Sequence, residues 1–152
     1  MPKYMLILRT VDEAVAQQAM ADAGMDLDKM VDTMSRYNEQ LFEAGVLVGM
    51  EGLDDTESGS VIDYSSTPPV VTDGPYGETK ELFWGFWIID VPSKEAALEW
   101  AVKAPLGPGT NLEVRRVGSL DDVAQDNEWI RKDAQWRREL ARRAAVKAGV
   151  EV

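Results

Sequence analysis

The chain contains no cysteine and no histidine among its 152 residues. It therefore cannot form a disulfide, a zinc site with thiolate or imidazole ligands, or a nucleophile activated by histidine. Acid/base chemistry is left to carboxylate, phenol, amine, guanidinium or hydroxyl groups. The acidic clusters around Asp26 and Asp54 lack the spacing of a calcium-binding loop, and Gly107 and Gly109 do not form a phosphate-binding motif. We predict no metal and no cofactor.

Basic residues are also scarce. Sixteen Lys and Arg stand against 27 Asp and Glu, so the formal net charge is −11. A field of this sign repels phosphate backbones and anionic lipid head groups, and we predict neither a nucleic-acid nor a membrane partner. The imbalance lies in residues 1–117, with 20 acidic and 9 basic side chains, whereas residues 118–152 carry 7 of each.

Long apolar segments are missing as well. The longest run, residues 82–89, has 8 residues, whereas a membrane-spanning helix needs about 20. The apolar stretch at residues 5–8 is too short for the core of a signal peptide. We therefore expect a cytoplasmic protein. Its composition, 45% hydrophobic and 28% charged, is typical of a globular domain.

Two segments of the chain lack a polar face. Residues 3–9 and 82–91 show no alternation of apolar and polar positions, which predicts strands buried on both sides. In the second segment, strict alternation places Phe83 and Trp87 on one face and Trp84 and Phe86 on the other. Both segments are predicted to lie in the middle of a sheet.

The remaining elements follow from periodicity and capping residues. A weak helix is predicted over residues 10–22, and a clearer one begins near Asp26 and ends at Gly45. Ser93 is the predicted N-cap of a helix that runs to about Ala104. Further strands are predicted at residues 46–53, 60–64, 69–72 and 111–117.

This order predicts an α+β fold, a ferredoxin-like sandwich with the first and third main strands in the middle. Helices cover only one side of such a sheet, so apolar side chains on the other side stay bare in a monomer. We expect a homodimer in which two sheets pair to form a dimeric α/β barrel. Residues 118–152 are predicted to form a separate C-terminal helical extension, one long helix starting at Ser119.

The most distinctive motif lies at residues 71–81, V-T-D-G-P-Y-G-E-T-K-E. It resembles the signature of the DGPF group within the YCII-related family. The opening K-Y-M-L-I-L, the segments Y-N-E-Q-L and A-G-V-L-V, the E-G-L at 51–53 and the closing L-E-V-R occur in the expected order. The resemblance covers residues 1–117 as one domain, with Tyr76 where the group has phenylalanine.

The resemblance implies a dimeric α/β barrel of the ferredoxin-like type and says little about activity. A histidine and aspartate pair is proposed to be catalytic in the wider family, and one branch is similar to dehydrochlorinating enzymes. Because this chain has no histidine, that proposal does not transfer. Whether the protein is an enzyme stays open.

The motif contains one group of candidate site residues. Asp73 and Glu78 are the candidate catalytic carboxylates, and Tyr76 and Lys80 are candidate ligand-binding residues beside them. Two plainer interpretations stay open: Asp73 as a turn residue that accepts a backbone N–H, and Lys80 as half of a surface ion pair.

Arg115, Trp84 and Trp87 complete the predicted ligand site. Arg115 shares a strand face with Glu113, so it either binds a substrate carboxylate or forms an ion pair. Trp84 and Trp87 line a cavity or belong to the core, as do Tyr4 and Tyr37.

The function predicted first is small-molecule binding in a barrel or interface cleft, with cofactor-free carboxylate chemistry as an option. The alternative is a non-catalytic regulatory or protein-interaction module, suggested by the C-terminal helix.

Overall fold

The computed structural model describes residues 1–54, 56–74, 82–122 and 127–147. The chain divides into two compact units, residues 1–117 and 118–152. The first unit contains six strands, three α-helices and a short 3₁₀ helix, Thr56–Ser58, within the described residues. In chain order the strands and α-helices are β1 Lys3–Thr10, α1 Glu13–Asp22, α2 Leu27–Glu43, β2 Leu47–Gly52, β3 Ser60–Asp63, β4 Val70–Asp73, β5 Leu82–Asp90, α3 Lys94–Ala101 and β6 Thr110–Arg116.

The main sheet has the strand order β2-β5-β1-β6, and every pairing in it is antiparallel. The two strands without a polar face, β1 and β5, are the central ones, so their predicted position is confirmed. The fold is α+β and compatible with the ferredoxin-like class. Strands β3 and β4 form a separate hairpin, in which Ile62 pairs with Val71.

Local signals fix the ends of the helices. Asp12, Asp26 and Ser93 have extended backbones, and each side chain accepts a backbone N–H from the first turn of its helix. After α2, Gly45 adopts a φ of 69°, a left-handed conformation that ends a helix without steric cost. The predicted helix start near Asp26, the stop at Gly45 and the N-cap at Ser93 are therefore confirmed.

One face of the sheet packs against α2 and α3. Tyr4, Leu6, Trp87 and Ile89 from the central strands are buried there. Tyr37 and Leu41 of α2, and Ala97 and Ala101 of α3, complete this core. Tyr4, Tyr37 and Trp87 are thus core residues, as one of the two interpretations held.

The opposite face of the sheet, which we call the open face, is also apolar at its centre. Its residues alternate with those of the core along each strand. Met5 pairs with Ile88, and Ile7 pairs with Phe86 on one side and Glu113 on the other. Ile7 is buried among these neighbours, whereas Met5, Phe86 and Ile88 are partly accessible.

A β-bulge interrupts the alternation of side chains that was predicted for β5. The register between β1 and β5 shifts after Leu8, so that Leu8 pairs with Gly85 and Arg9 pairs with Phe83. The rings of Phe83 and Phe86 stack with centroids 6.4 Å apart. Because these rings touch, Phe83 shares a face with Phe86 and not with Trp87. The strict alternation predicted for this strand was wrong at that point.

The second unit contains a single-turn 3₁₀ helix, Leu120–Asp122, and the helix α4, Glu128–Lys147. The predicted helix is confirmed over Glu128–Lys147, whereas the predicted start at Ser119 leads into the 3₁₀ helix and not into one long helix. The backbone N–H of Ser119 is bonded to the Asp122 carboxylate at 2.9 Å, which closes a short turn. In the described part of the chain, no helix is long and apolar enough to cross a membrane.

Candidate functional site

The predicted site residues lie in different parts of the first unit. Trp84 and Trp87 are in β5, Arg115 is in β6 on the open face, and Asp73 ends β4. Tyr76, Glu78 and Lys80 lie outside the described residues. The structure therefore brings the two tryptophans together and places Arg115 and Asp73 elsewhere.

The tryptophans line a shallow cleft of about 380 Å³ between α2 and the β2–β5 edge of the sheet. Its walls are Leu8, Met34, Asn38, Met50, Glu51, Gly52, Trp84, Gly85, Phe86 and Trp87. Gly85 brings β5 close to β2, because a Cβ atom at this position would stand 2.6 Å from the carbonyl oxygen of Glu51. The cleft is a concave, mostly apolar surface of the size that small molecules occupy.

Trp87 is the fixed wall of this cleft. It is 5% exposed, and its ring packs edge to face with that of Tyr37 at a centroid distance of 5.4 Å. Its indole Nε1 donates to Oδ1 of Asn38 at 2.7 Å. The Tyr37 hydroxyl donates to the carbonyl of Trp100 at 3.0 Å, and burial raises the pKa of Tyr37 to about 12. These contacts tie α2 to both β5 and α3.

The hydrogen bond from Trp87 also orients Asn38. An indole nitrogen can only donate, so the atom of Asn38 that it meets must be the oxygen. The amide nitrogen of Asn38 is then the donor that the cleft can offer to a ligand. Asn38 was not among the site residues predicted from the sequence. It lies in the Y-N-E-Q-L segment of the family resemblance, but no pattern there indicates that its amide faces a cleft.

Trp84 differs from Trp87 in its polar atom. Its Nε1 is buried and has no hydrogen-bond partner in the described chain. An unpaired buried donor costs about 1–3 kcal/mol. Trp84 is partly exposed and lines the cleft, so its ring is accessible from there.

Asp73 lies at the open end of the β3–β4 hairpin, away from the loop that connects the two strands. Its carboxylate accepts a hydrogen bond from the Ser60 hydroxyl at 2.7 Å, and Ser60 is its cross-strand partner. The next residue, Gly74, donates its N–H to the carbonyl of Gly59 at 2.8 Å. The side chain is exposed. These contacts are those of a residue that stabilises the end of a hairpin.

Arg115 forms an ion pair with Glu113, one of its two predicted roles. Its Nε donates to Oε1 of Glu113 at 2.7 Å, while Arg9 donates to Oε2 at 3.0 and 3.2 Å. The hydrogen bond from Arg115, followed by that from Arg9, lowers the pKa of Glu113 below its usual value. The three side chains form a charged cluster on the open face. Arg9 was missed at the sequence level because β1 gives no sign of its cross-strand partner.

No group of three or more acidic side chains in the described residues is placed to hold a metal ion. Most residues that line the cleft are apolar. Asn38 contributes an amide and Glu51 a carboxylate.

The sequence matches the model of the YCII-related domain over residues 3–121. The chain belongs to the YCII-related family. A curated relative, the uncharacterized protein R00369 of Rhizobium meliloti (strain 1021), is 32% identical over 74 residues, which is 49% of this chain. The match spans 60% of that relative's length. The family resemblance predicted from the sequence is confirmed. The match does not test the DGPF-type detail, which rests on residues 71–81.

Proposed function

We propose that this YCII-related protein is a homodimer that binds a small molecule in the cleft between α2 and the β2–β5 edge. The observation that carries the proposal is the Asn38 amide, which is oriented by Trp87 and stands in an apolar-walled cleft of about 380 Å³. Apolar walls with a few placed polar groups are characteristic of small-molecule sites. The ligand is expected to combine an apolar or aromatic body with a hydrogen-bond acceptor such as a carboxylate.

Dimer formation is supported by the open face. Met5, Phe83, Phe86 and Ile88 leave apolar surface there that no helix covers in the first unit. Packing the open faces of two copies would bury this surface and produce a dimeric α/β barrel. The cluster of Arg9, Glu113 and Arg115 would lie at the polar edge of such an interface.

The binding proposal is tested by titration with anilinonaphthalene sulfonate, which combines aromatic rings with acceptor oxygens. Asn38→Asp keeps an acceptor for Trp87 but loses the amide donor, and we expect roughly tenfold weaker binding. Asn111→Asp introduces the same charge on β6, outside the cleft, and is the matched control.

A second pair of variants tests the location. Met50→Trp fills the cleft and should abolish binding, whereas Val48→Trp, on the same strand but not in the cleft wall, should not. If both variants bind the probe as the parent chain does, the cleft is not the site.

The proposal leaves room for cofactor-free acid/base chemistry. Of the two carboxylates predicted for it, Asp73 does not line the cleft and Glu78 lies outside the described residues, whereas Glu51 is part of the cleft wall. Glu51 is thus the group to replace first once a converted substrate is known. If Glu51→Gln retains turnover, the carboxylate role belongs elsewhere.

The competing function, a protein-interaction module, is favoured by α4. Trp129, Trp136 and Leu140 are each more than half exposed on this helix. Apolar side chains in such a row are typical of a helix that packs against another protein surface.

A further inference from the structure

Helix α4 carries an apolar stripe formed by Trp129, Trp136 and Leu140, which we call the α4 stripe. The positions i, i+7 and i+11 lie on one side of a helix. The two indole rings are 6.5 Å apart, and Lys132 lies over the ring of Trp129 at 4.5 Å. Within α4, seven basic side chains outnumber three acidic ones, and the acidic ones pair with basic neighbours along the helix. The stripe is therefore apolar with a positive border.

Helix α2 also carries an apolar stripe, but the border of this stripe is negatively charged. Leu27, Val31 and Phe42 lie along one side of this helix at i, i+4 and i+15, and each is more than half exposed. We call them the α2 stripe. Beside it runs a row of exposed carboxylates, Asp28, Asp32, Glu39 and Glu43. None of these four takes part in an ion pair among the described residues.

The two stripes overlap in length and have borders of opposite charge. Leu27 to Phe42 and Trp129 to Leu140 extend over about 22 and 16 Å along helices of 17 and 20 residues. Each stripe exposes large apolar side chains that a soluble helix normally buries. A pairing of α4 with itself would bring two positively charged helices together, whereas a pairing with α2 brings cations to unpaired carboxylates.

We propose that the α4 stripe of one copy packs on the α2 stripe of a second copy. The proposal rests on the two helices and does not depend on a ligand in the cleft. It assigns residues 128–147 a role in holding two molecules of this chain together.

Cysteine cross-linking of the full chain tests the proposal, because the parent sequence has no cysteine. Chains with Ser35→Cys and chains with Ala144→Cys, both positions beside the stripes, are mixed and oxidised, one of them with a mass tag. We expect a disulfide between the two different chains. Gln40→Cys mixed with Gln135→Cys, two uncharged positions away from the stripes, should give a yield lower by about tenfold.

Charge reversal separates specific packing from chance collision. Lys132→Glu with Arg143→Glu in the Ala144→Cys chain should lower the yield several-fold, and Asp32→Lys with Glu39→Lys in the Ser35→Cys chain should restore it. Circular dichroism checks that α4 remains helical.

Three results would overturn the proposal. One is cross-linking only between like chains, which would indicate that α4 pairs with α4 or that α2 pairs with α2. Another is a double Ser35→Cys, Ala144→Cys chain that oxidises to a monomer at every dilution. The last is a yield equal to that of the glutamine control pair.

Discussion

At the scale of single residues, the cleft depends on close approach and on fixed polar atoms. Gly85 allows β5 to approach β2, and the bond between Trp87 and Asn38 sets which amide atom is available to a ligand. On the open face, Glu113 holds two arginines. Each of these features can be removed by one substitution.

Gly85→Ala should destabilise the protein by about 1–3 kcal/mol, since its Cβ would stand 2.6 Å from the Glu51 carbonyl and the strands would have to separate. Urea denaturation measures the free energy of unfolding. Gly49→Ala in β2 is the control, because a Cβ there meets no atom within 4 Å. Equal stability of the two variants would show that the strands do not approach this closely.

Glu113→Gln should alter the dependence of stability on acid. The folded pKa of Glu113 is lowered by Arg115 and Arg9, so its contribution is present above the unfolded pKa of about 4.3 and is lost as pH falls through the folded value. The variant should be less stable at neutral pH and should lose less stability on acidification. Urea denaturation from pH 7 to about pH 3 measures this. Glu99→Gln removes an exposed carboxylate on α3, outside the cluster with Arg9 and Arg115, and is the matched control.

At the scale of elements, α2 contributes residues to the core, to the cleft and to the exposed surface. It contributes Tyr37 and Leu41 to the core, Met34 and Asn38 to the cleft and the α2 stripe to the surface. Its core side is fixed by packing, and its hydrogen bond from Tyr37 to Trp100 joins it to α3.

Leu41→Ala should cost about 2–5 kcal/mol, because this side chain is fully buried between α2 and the sheet. Val102→Ala, at the exposed end of α3, should change stability by less than about 0.5 kcal/mol. Thermal and urea unfolding of the two variants make the comparison. A small effect at Leu41 would show that α2 does not pack on the sheet as described.

Most elements could be predicted because their signals are local. The β1 and β5 segments have no polar face, and Asp26 and Ser93 are residues that cap helices well. The bulge in β5 escaped prediction because a period of two residues does not show where an extra residue enters, and Gly85 was its only sign. The cleft could be predicted only at Trp84 and Trp87. Its other walls, such as Met34 and Met50, come from elements distant in sequence, and only the fold brings them together.

At the scale of the whole molecule, the proposed self-association rests on apolar surface, because the net charge opposes it. A chain of net charge −11 resists nonspecific contact with similar molecules, so a stable pair needs a specific apolar surface. The open face supplies one such surface, and the two helical stripes supply another. The open face is central to the account, because the sequence pattern of β1 and β5 and the observed sheet order both lead to it.

Sedimentation equilibrium at micromolar concentration tests this claim most directly. The parent chain should have the mass of a dimer. In a chain that also carries Lys132→Glu and Arg143→Glu, which remove the contribution of the α4 stripe, Ile88→Lys should shift the equilibrium strongly towards the monomer, because it places a charge at the centre of the open face. Val102→Lys, on the exposed end of α3, should leave the dimer intact. A folded monomer for the parent chain, or a dimer that tolerates Ile88→Lys as well as Val102→Lys, would contradict the account.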